Sequence, residues 1–186
     1  MEQPQLVTAS ELEDYARSRD SEATIPELVW WLVTSSVPDL TVCRIPYGDS
    51  IGLPGLDGLV ETEHGFHQFV PAKISFWETG RGDPQTKATG DYCKRKKNMS
   101  AEERKAATFV FVTARSRDWS ILSQTRWIKS REKDGWRGIK ILDGVQLADW
   151  LRGFPAIGKL MMHKIGLVKS VNGFVTPAER WALLSI

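Results

Sequence analysis

Apolar and polar positions follow two rhythms along this 186-residue chain, and the switches between them mark out the expected elements. Residues 26–33, Pro-Glu-Leu-Val-Trp-Trp-Leu-Val, predict a helix, with Thr24 as cap and Pro26 near the first turn. Before it, Ser10 followed by Glu11, Glu13 and Asp14 predicts a short helix start with acids where the macrodipole favours them, expected as a solvated surface element. Residues 40–45 alternate as a strand and lead through Gly52, Pro54 and Gly55 into a second strand at Leu59-Val60. His64-Gly65 reads as a turn, residues 66–70 as the hairpin partner ended by Pro71, and residues 74–79 as a third extended piece. On that piece Ser75 and Trp77 share one face, expected to pack, and Phe76 and Glu78 share the other, expected to present Glu78 near the strand's C-terminal end.

The second half alternates strand and helix. A helix carrying Lys87, Asp91 and Tyr92 ends in Lys94-Arg95-Lys96-Lys97, and Ser100 with Glu103 forms a capping-box pattern. Residues 109–113 are a continuous apolar run, expected for a strand covered on both faces, and a helix around residues 123–131 separates it from a strand within residues 135–142. Strand, helix and strand in that order predict a parallel pair with a right-handed crossover. Leu147, Trp150 and Leu151 predict a helix over 144–152 that packs back on the sheet, and residues 156–165 form a further helix ended by Gly166. The fold class is therefore α/β, with residues 1–152 as the core and 153–186 as a helical tail or the start of a connection to further domains.

Composition narrows the classes. A formal charge of +2 is close to balanced, so any contact with nucleic acid must come from local clustering. Two cysteines, Cys43 and Cys93, build neither a disulfide framework nor a zinc site, and no stretch approaches the ~20 apolar residues of a membrane span. Both features predict a cytoplasmic protein. The eight tryptophans are expected mainly in the core rather than as base-stacking platforms, and His64 and His67 at the surface. The Gly80–Pro84 loop lacks the Gly-Lys-Ser/Thr ending of a nucleotide-binding loop.

What remains is an oxygen-rich corner. Asp57 and Glu78, from adjacent strands, are the ligand type a hard divalent cation takes, and Lys87 supplies an ammonium near any phosphate held there. Glu61 alternates onto the face of Asp57 as a further ligand or an exposed neighbour, and Lys73 is the rival lysine. Glu27 is a third acid to consider, although a first helical turn favours acids in any case. The Lys94-Arg95-Lys96-Lys97 run is either a solvated helix end or a contact to the DNA backbone.

Several motifs occur together in order: Arg44-Ile45-Pro46, Gly55-Leu56-Asp57-Gly58, Val70 through Ser75-Phe76-Trp77-Glu78-Thr79-Gly80, Lys87-Ala88-Thr89-Gly90-Asp91-Tyr92-Cys93-Lys94-Arg95, Phe109-Val110-Phe111-Val112-Thr113, and Asp143 through Leu147 to Trp150-Leu151. This series resembles the PD-(D/E)xK, or restriction-endonuclease-like, nuclease domains at the N-terminus of bacterial antiphage STAND NTPases. The resemblance implies a three-layer sandwich with a central mixed sheet flanked by helices. It also implies a metal-dependent endonuclease acting on double-stranded DNA as a defence effector, with Mg²⁺ or Mn²⁺ held by Asp57 and Glu78. Self-association as a dimer or tetramer, driven by an attached or partner NTPase module, is the implied mode of activation. In this family an acid on the first core helix often faces the metal, which is the reason to consider Glu27, and the position of Lys73 more often carries glycine. The family's lysine lies two residues after the second acid, where this chain has Gly80, so Lys87 is read as a migrated lysine. The same departure supports an alternative, a catalytically inactive nuclease-like module that binds DNA or a protein.

Overall fold

A computed structural model describes residues 6–47, 58–80 and 82–167. Among the described residues, five strands form one mixed sheet in the order β1-β2-β3-β4-β5, with helices on both faces. The strands are β1 (Leu40–Arg44), β2 (Leu59–Thr62), β3 (Lys73–Thr79), β4 (Ala107–Val112) and β5 (Gly138–Leu142). The first three run antiparallel as a meander, and β3, β4 and β5 are parallel. Helices α1 (Ala9–Ala16), α2 (Ser21–Ser36), α6 (Gly144–Arg152) and α7 (Pro155–Lys164) share one core with Trp77, Val110 and Val112. Helices α3 (Pro84–Lys97) and α5 (Ile121–Lys129) cover the other face, where Ala88, Tyr92 and Trp127 pack on Phe109, Phe111 and Ile141. The short α4 (Ala101–Ala106) leads from α3 into β4. All six residues of β4 are buried, as its unbroken apolar run requires for a strand between two layers.

The caps explain where helices begin. Asp83 accepts the Thr86 N–H at 2.8 Å and Pro84 opens α3 with its φ already fixed, while four cations fill the last turn where the dipole favours them. Ser100 with Glu103, and Asp143 with Gln146, form reciprocal capping boxes at α4 and α6. Helix α2 begins at Ser21 rather than at Thr24, whose hydroxyl instead donates to the Asp20 carbonyl inside the helix. Pro26 sits in its second turn, where the missing N–H forfeits a single bond.

Three expectations change. Residues 66–70 are not the hairpin partner of β2; that partner is β3, in register Leu59↔Phe76 and Val60↔Ser75. The 66–70 segment folds on itself through Phe66 N–H to Val70 carbonyl (2.9 Å) and Val70 N–H to Phe66 carbonyl (3.0 Å), and Phe69 stacks on Trp150 at 5.0 Å, so its apolar residues plug one end of the core. Helix α1 is not simply solvated either. It starts from Thr8, and its Glu13 is 1% exposed, held by Arg17 at 3.1 Å and by the Arg117 backbone N–H at 3.1 Å. The third change concerns Glu78. Helix α7, in the segment expected as a tail, places Ile157 and Met161 in the core beside α2 and α6.

Candidate active site at the C-terminal end of β3

Strand alternation puts Glu78 on the Phe76 face of β3, opposite Phe111 of β4, and that face lies under α3. The face was expected to present Glu78; instead the residue is 1% exposed. Its Oε1 accepts from Arg95 Nε at 2.9 Å and Arg95 Nη2 at 2.5 Å, and the Arg95 side chain is 8% exposed beside the Phe76 ring. A carboxylate at that depth needs a charged, hydrogen-bonding partner, and the guanidinium fork supplies it. Arg95 is therefore committed inside the protein, which corrects its expected place on a DNA backbone.

One residue past the strand, the Gly80 N–H continues the β3–β4 ladder to the Val112 carbonyl at 3.0 Å. A Cβ on Gly80 would lie 2.5 Å from Phe111 Cζ and 2.7 Å from Lys87 Cγ. The stem of Lys87 thus occupies the space that a side chain at position 80 would enter. Lys87 Nζ reaches Asp91 Oδ1 at 2.9 Å, with the Lys87 side chain about half exposed and that of Asp91 11% exposed. The other Asp91 oxygen, Oδ2, is buried with no hydrogen-bond partner. Lys87, Asp91 and Arg95 follow one another at four-residue spacing, so one face of α3 carries all three against the end of β3. At the rim, Arg115 Nη1 donates to the Gly82 carbonyl at 2.6 Å and Nη2 pairs with Asp118 at 2.5 Å, joining the loop after β4 to the loop before α3.

Asp57 lies outside the described residues. Its neighbour Gly58 is described: the Gly58 carbonyl accepts the Trp77 N–H at 2.9 Å, and an added Cβ would stand 2.8 Å from Trp77 Cβ. Among the described residues no three or more His, Cys, Asp and Glu side chains gather as a metal ligand set.

The remaining candidates are dispersed. Lys73, with φ +70°, stands at the start of β3 and pairs with Glu63, ~17 Å along the strand from Glu78. Glu61 opposes Ile74, on the sheet face of Glu78 but ~13 Å away along the strand. Glu27 pairs with Lys164 of α7 on the opposite side of the sheet. Lys96 is bound to Asp134 at 2.7 Å, whereas Lys94 and Lys97 are exposed. Trp77, Trp119, Trp127, Trp136 and Trp150 are buried in the two cores, as expected of most tryptophans. His64 and His67 are exposed, and His64 Nδ1 lies 2.8 Å from Asp39 Oδ2.

Asp91 was read in the sequence as a helix residue within the Lys87–Arg95 motif, with no site role, and Arg95 as the end of that motif and one cation in a run of four. The signal that locates them is helical phase: Ala88, Asp91, Tyr92 and Arg95 form the buried stripe of α3. No helix among the described residues is long and apolar enough to cross a membrane. No protein family, curated protein or solved structure matches this chain.

Proposed function

We propose that the chain is a PD-(D/E)xK-type, metal-dependent endonuclease that hydrolyses DNA phosphodiesters as an effector of bacterial antiphage defence. The observation that carries the reading is the packing of Lys87 against Gly80. The family pattern wants a lysine two residues after the acid, and here the lysine of the next helix fills that position's side-chain space. The mixed sheet with helices on both faces accords with a restriction-endonuclease-like sandwich.

The donor chemistry of the corner fits a hard cation, since its acids, Glu78 and Asp91 with Asp57 one residue from Gly58, offer carboxylate oxygen and neither sulfur nor imidazole. Asp57 and Glu78 would hold Mg²⁺ or Mn²⁺. Such an ion supplies a bound water of lowered pKa and polarises a phosphoryl oxygen. Lys87, fixed at 2.9 Å from Asp91, directs an ammonium at the same place to orient the attacking water or to offset charge developing on the phosphate. Arg95 holds the Glu78 carboxylate in place, and exposed Lys94 and Lys97 are left for the DNA backbone.

The test is cleavage of supercoiled plasmid by purified protein with Mg²⁺ or Mn²⁺, beside Asp57→Ala, Glu78→Gln and Lys87→Ala, as free protein and as an enforced dimer or tetramer. Metal-dependent nicking that all three substitutions abolish is the expected result; a parent that cuts in neither form overturns the enzyme reading. The buried Arg95–Glu78 pair favours a second reading, an inactive nuclease-like module that binds DNA or a protein, because it already neutralises the acid that a cation would need. DNA binding at low salt without Mn²⁺ binding distinguishes that module.

A further inference from the structure

We infer that duplex DNA lies on the outer face of the α3–α5 layer, its sugar-phosphate backbone seated on Gly90 between the lysines of α3 and Arg126 and Lys129 of α5. The inference rests on the DNA substrate of the proposed function. The chain is close to neutral, but its helices divide the charge between the two faces of the sheet. Helices α3 and α5 carry seven lysines and arginines and a single acid, Asp91, which is buried. On the opposite face α1 and α2 carry five acids and no base; α7 adds Lys159 and Lys164 there, the latter paired with Glu27. The net charge of +2 hides this division, and a polyanion meets its complement on the α3–α5 side.

Gly90 marks the point of closest approach. It follows Lys87 by three residues and precedes Lys94 by four and Lys97 by seven, so all four share the exposed side of α3. A glycine inside a helix costs stability relative to alanine. The glycines of α6 and α7 stand where the chain itself presses in: a Cβ on Gly144 would lie 2.6 Å from the Ala114 carbonyl oxygen, and one on Gly158 3.2 Å from Leu6. A Cβ on Gly90 would meet nothing within 4 Å, and its backbone is ordinary helix. Among the described residues nothing calls for glycine at this position, whereas a partner laid against the helix backbone would. Thr89, one residue before, accepts the Trp127 Nε1–H at 3.0 Å, which seats α5 alongside. Beside Trp127 on α5 stand exposed Arg126 and, three residues on from it, exposed Lys129. A bare stretch of helix thus has cations on its own face and on the neighbouring helix, and neither helix exposes an acid. Charges recurring along two helices suit a phosphodiester backbone, whose own charges recur at regular steps. Lys87 joins this track to the end of β3, where its stem fills the space beside Gly80.

The experiment is fluorescence anisotropy of a labelled DNA duplex titrated with the full chain in EDTA, at salt from about 50 to 200 mM, with the melting temperature of every variant measured alongside. Parent protein is expected to bind. Arg126→Ala and Lys129→Ala are each expected to lower the slope of log affinity against log salt by ~0.9, while Lys159→Ala, on α7, leaves it unchanged. Gly90→Ala is expected to raise the melting temperature by ~2–4 °C and to weaken binding at least ~3-fold. Gly90→Leu, also a good helix former, is expected to weaken it at least ~10-fold. Stability gained as binding is lost separates a seat for DNA from a purely structural glycine, which would move stability alone. Gly90 variants that melt higher and bind within about twofold of the parent, or Arg126 and Lys129 variants with the parental slope, overturn the inference. So do variants that change self-association in sedimentation while binding DNA as the parent does, since the face would then belong to a second copy. A parent that binds no duplex at the lowest salt overturns this inference and the DNA substrate together. The expected losses in a parent that cuts no plasmid bear the face out and count against the endonuclease reading alone.

Discussion

Removing either side of the Arg95–Glu78 pair should damage the fold far more than a surface ion pair would. The two side chains are 8% and 2% exposed, and both guanidinium donors end on one carboxylate oxygen at 2.9 and 2.5 Å. Arg95→Met keeps most of the aliphatic stem beside Phe76 but leaves the Glu78 charge buried without its guanidinium. Breaking a buried pair from one side costs about 3–5 kcal/mol. Each kcal/mol moves the melting temperature of a domain of this size by ~2–4 °C, so the expected fall is roughly 6–20 °C. Glu78→Leu strands the guanidinium and should cost a similar amount. The double variant Arg95→Met/Glu78→Leu removes both charges together and should lie within about 1–2 kcal/mol of the parent.

Urea unfolding followed by far-ultraviolet circular dichroism gives the four free energies, and the double-mutant cycle isolates the coupling. A coupling of at least about 2 kcal/mol is expected. Single variants that each cost less than about 1 kcal/mol, or a double variant whose loss is the sum of the two, would refute a committed internal pair, since that is how exposed pairs behave. Arg95 would then be available to a phosphate after all.

Gly80→Ala forces a Cβ to within 2.5 Å of Phe111 and 2.7 Å of the Lys87 stem, so it should cost about 1–3 kcal/mol and depress plasmid cleavage by displacing Lys87; a variant with parental melting and cleavage contradicts the space argument. Lys73→Gly should leave stability unchanged or raise it by up to ~1 kcal/mol, because glycine tolerates φ +70° and the exposed Glu63 pair it gives up is weak; a clear loss in urea unfolding refutes this. Asp39 has its pKa depressed well below 3.8 by the Thr62 hydroxyl and by His64, so its contribution to stability is present above about pH 4 and fades as pH falls below that. Asp39→Asn should therefore flatten the acid limb of the stability profile below about pH 4, and an unchanged limb rules the tie out. Burial raises the Cys43 thiol from the ordinary 9.0 to about 11, so at neutral pH a thiol reagent should modify exposed Cys93 first, and Cys43 about 100-fold more slowly than an ordinary thiol; equal rates would show that Cys43 is not shielded.

Periodicity made the parallel half of the fold readable. The 144–152 helix appears as Gly144–Arg152, the buried run from Phe109 to Val112 as the later part of β4, and the basic helix as α3, because each satisfies its pattern within one element. The 66–70 run misled because apolar residues bounded by turn signals look alike whether they form a strand or a plug. The difference is made by Trp150 and Phe154, more than 80 residues away, on which Phe69 and Phe66 pack. Glu13 misled for the same reason: its partner, the Arg117 N–H, lies 104 residues further along the chain, and no local charge pattern contains it.

The acid-and-lysine spacing shows where a linear motif and a site part company. Glu78-Thr79-Gly80 looks like a pattern with its lysine missing, because the motif counts residues along one strand. Chemistry depends on where the ammonium stands, and a helix that follows immediately and packs on the same strand end can deliver one from nine residues away. Under the proposed reading that delivery requires position 80 to lack a side chain, since a Cβ there would meet the Lys87 stem, and the glycine and the displaced lysine would belong to one arrangement. The same helix then had to turn Asp91 and Arg95 inward, since four-residue spacing carries them on the face of Lys87. The basic run was therefore never four equivalent cations: helical phase assigns Arg95 to the interior, ties Lys96 to Asp134, and leaves Lys94 and Lys97 to solvent.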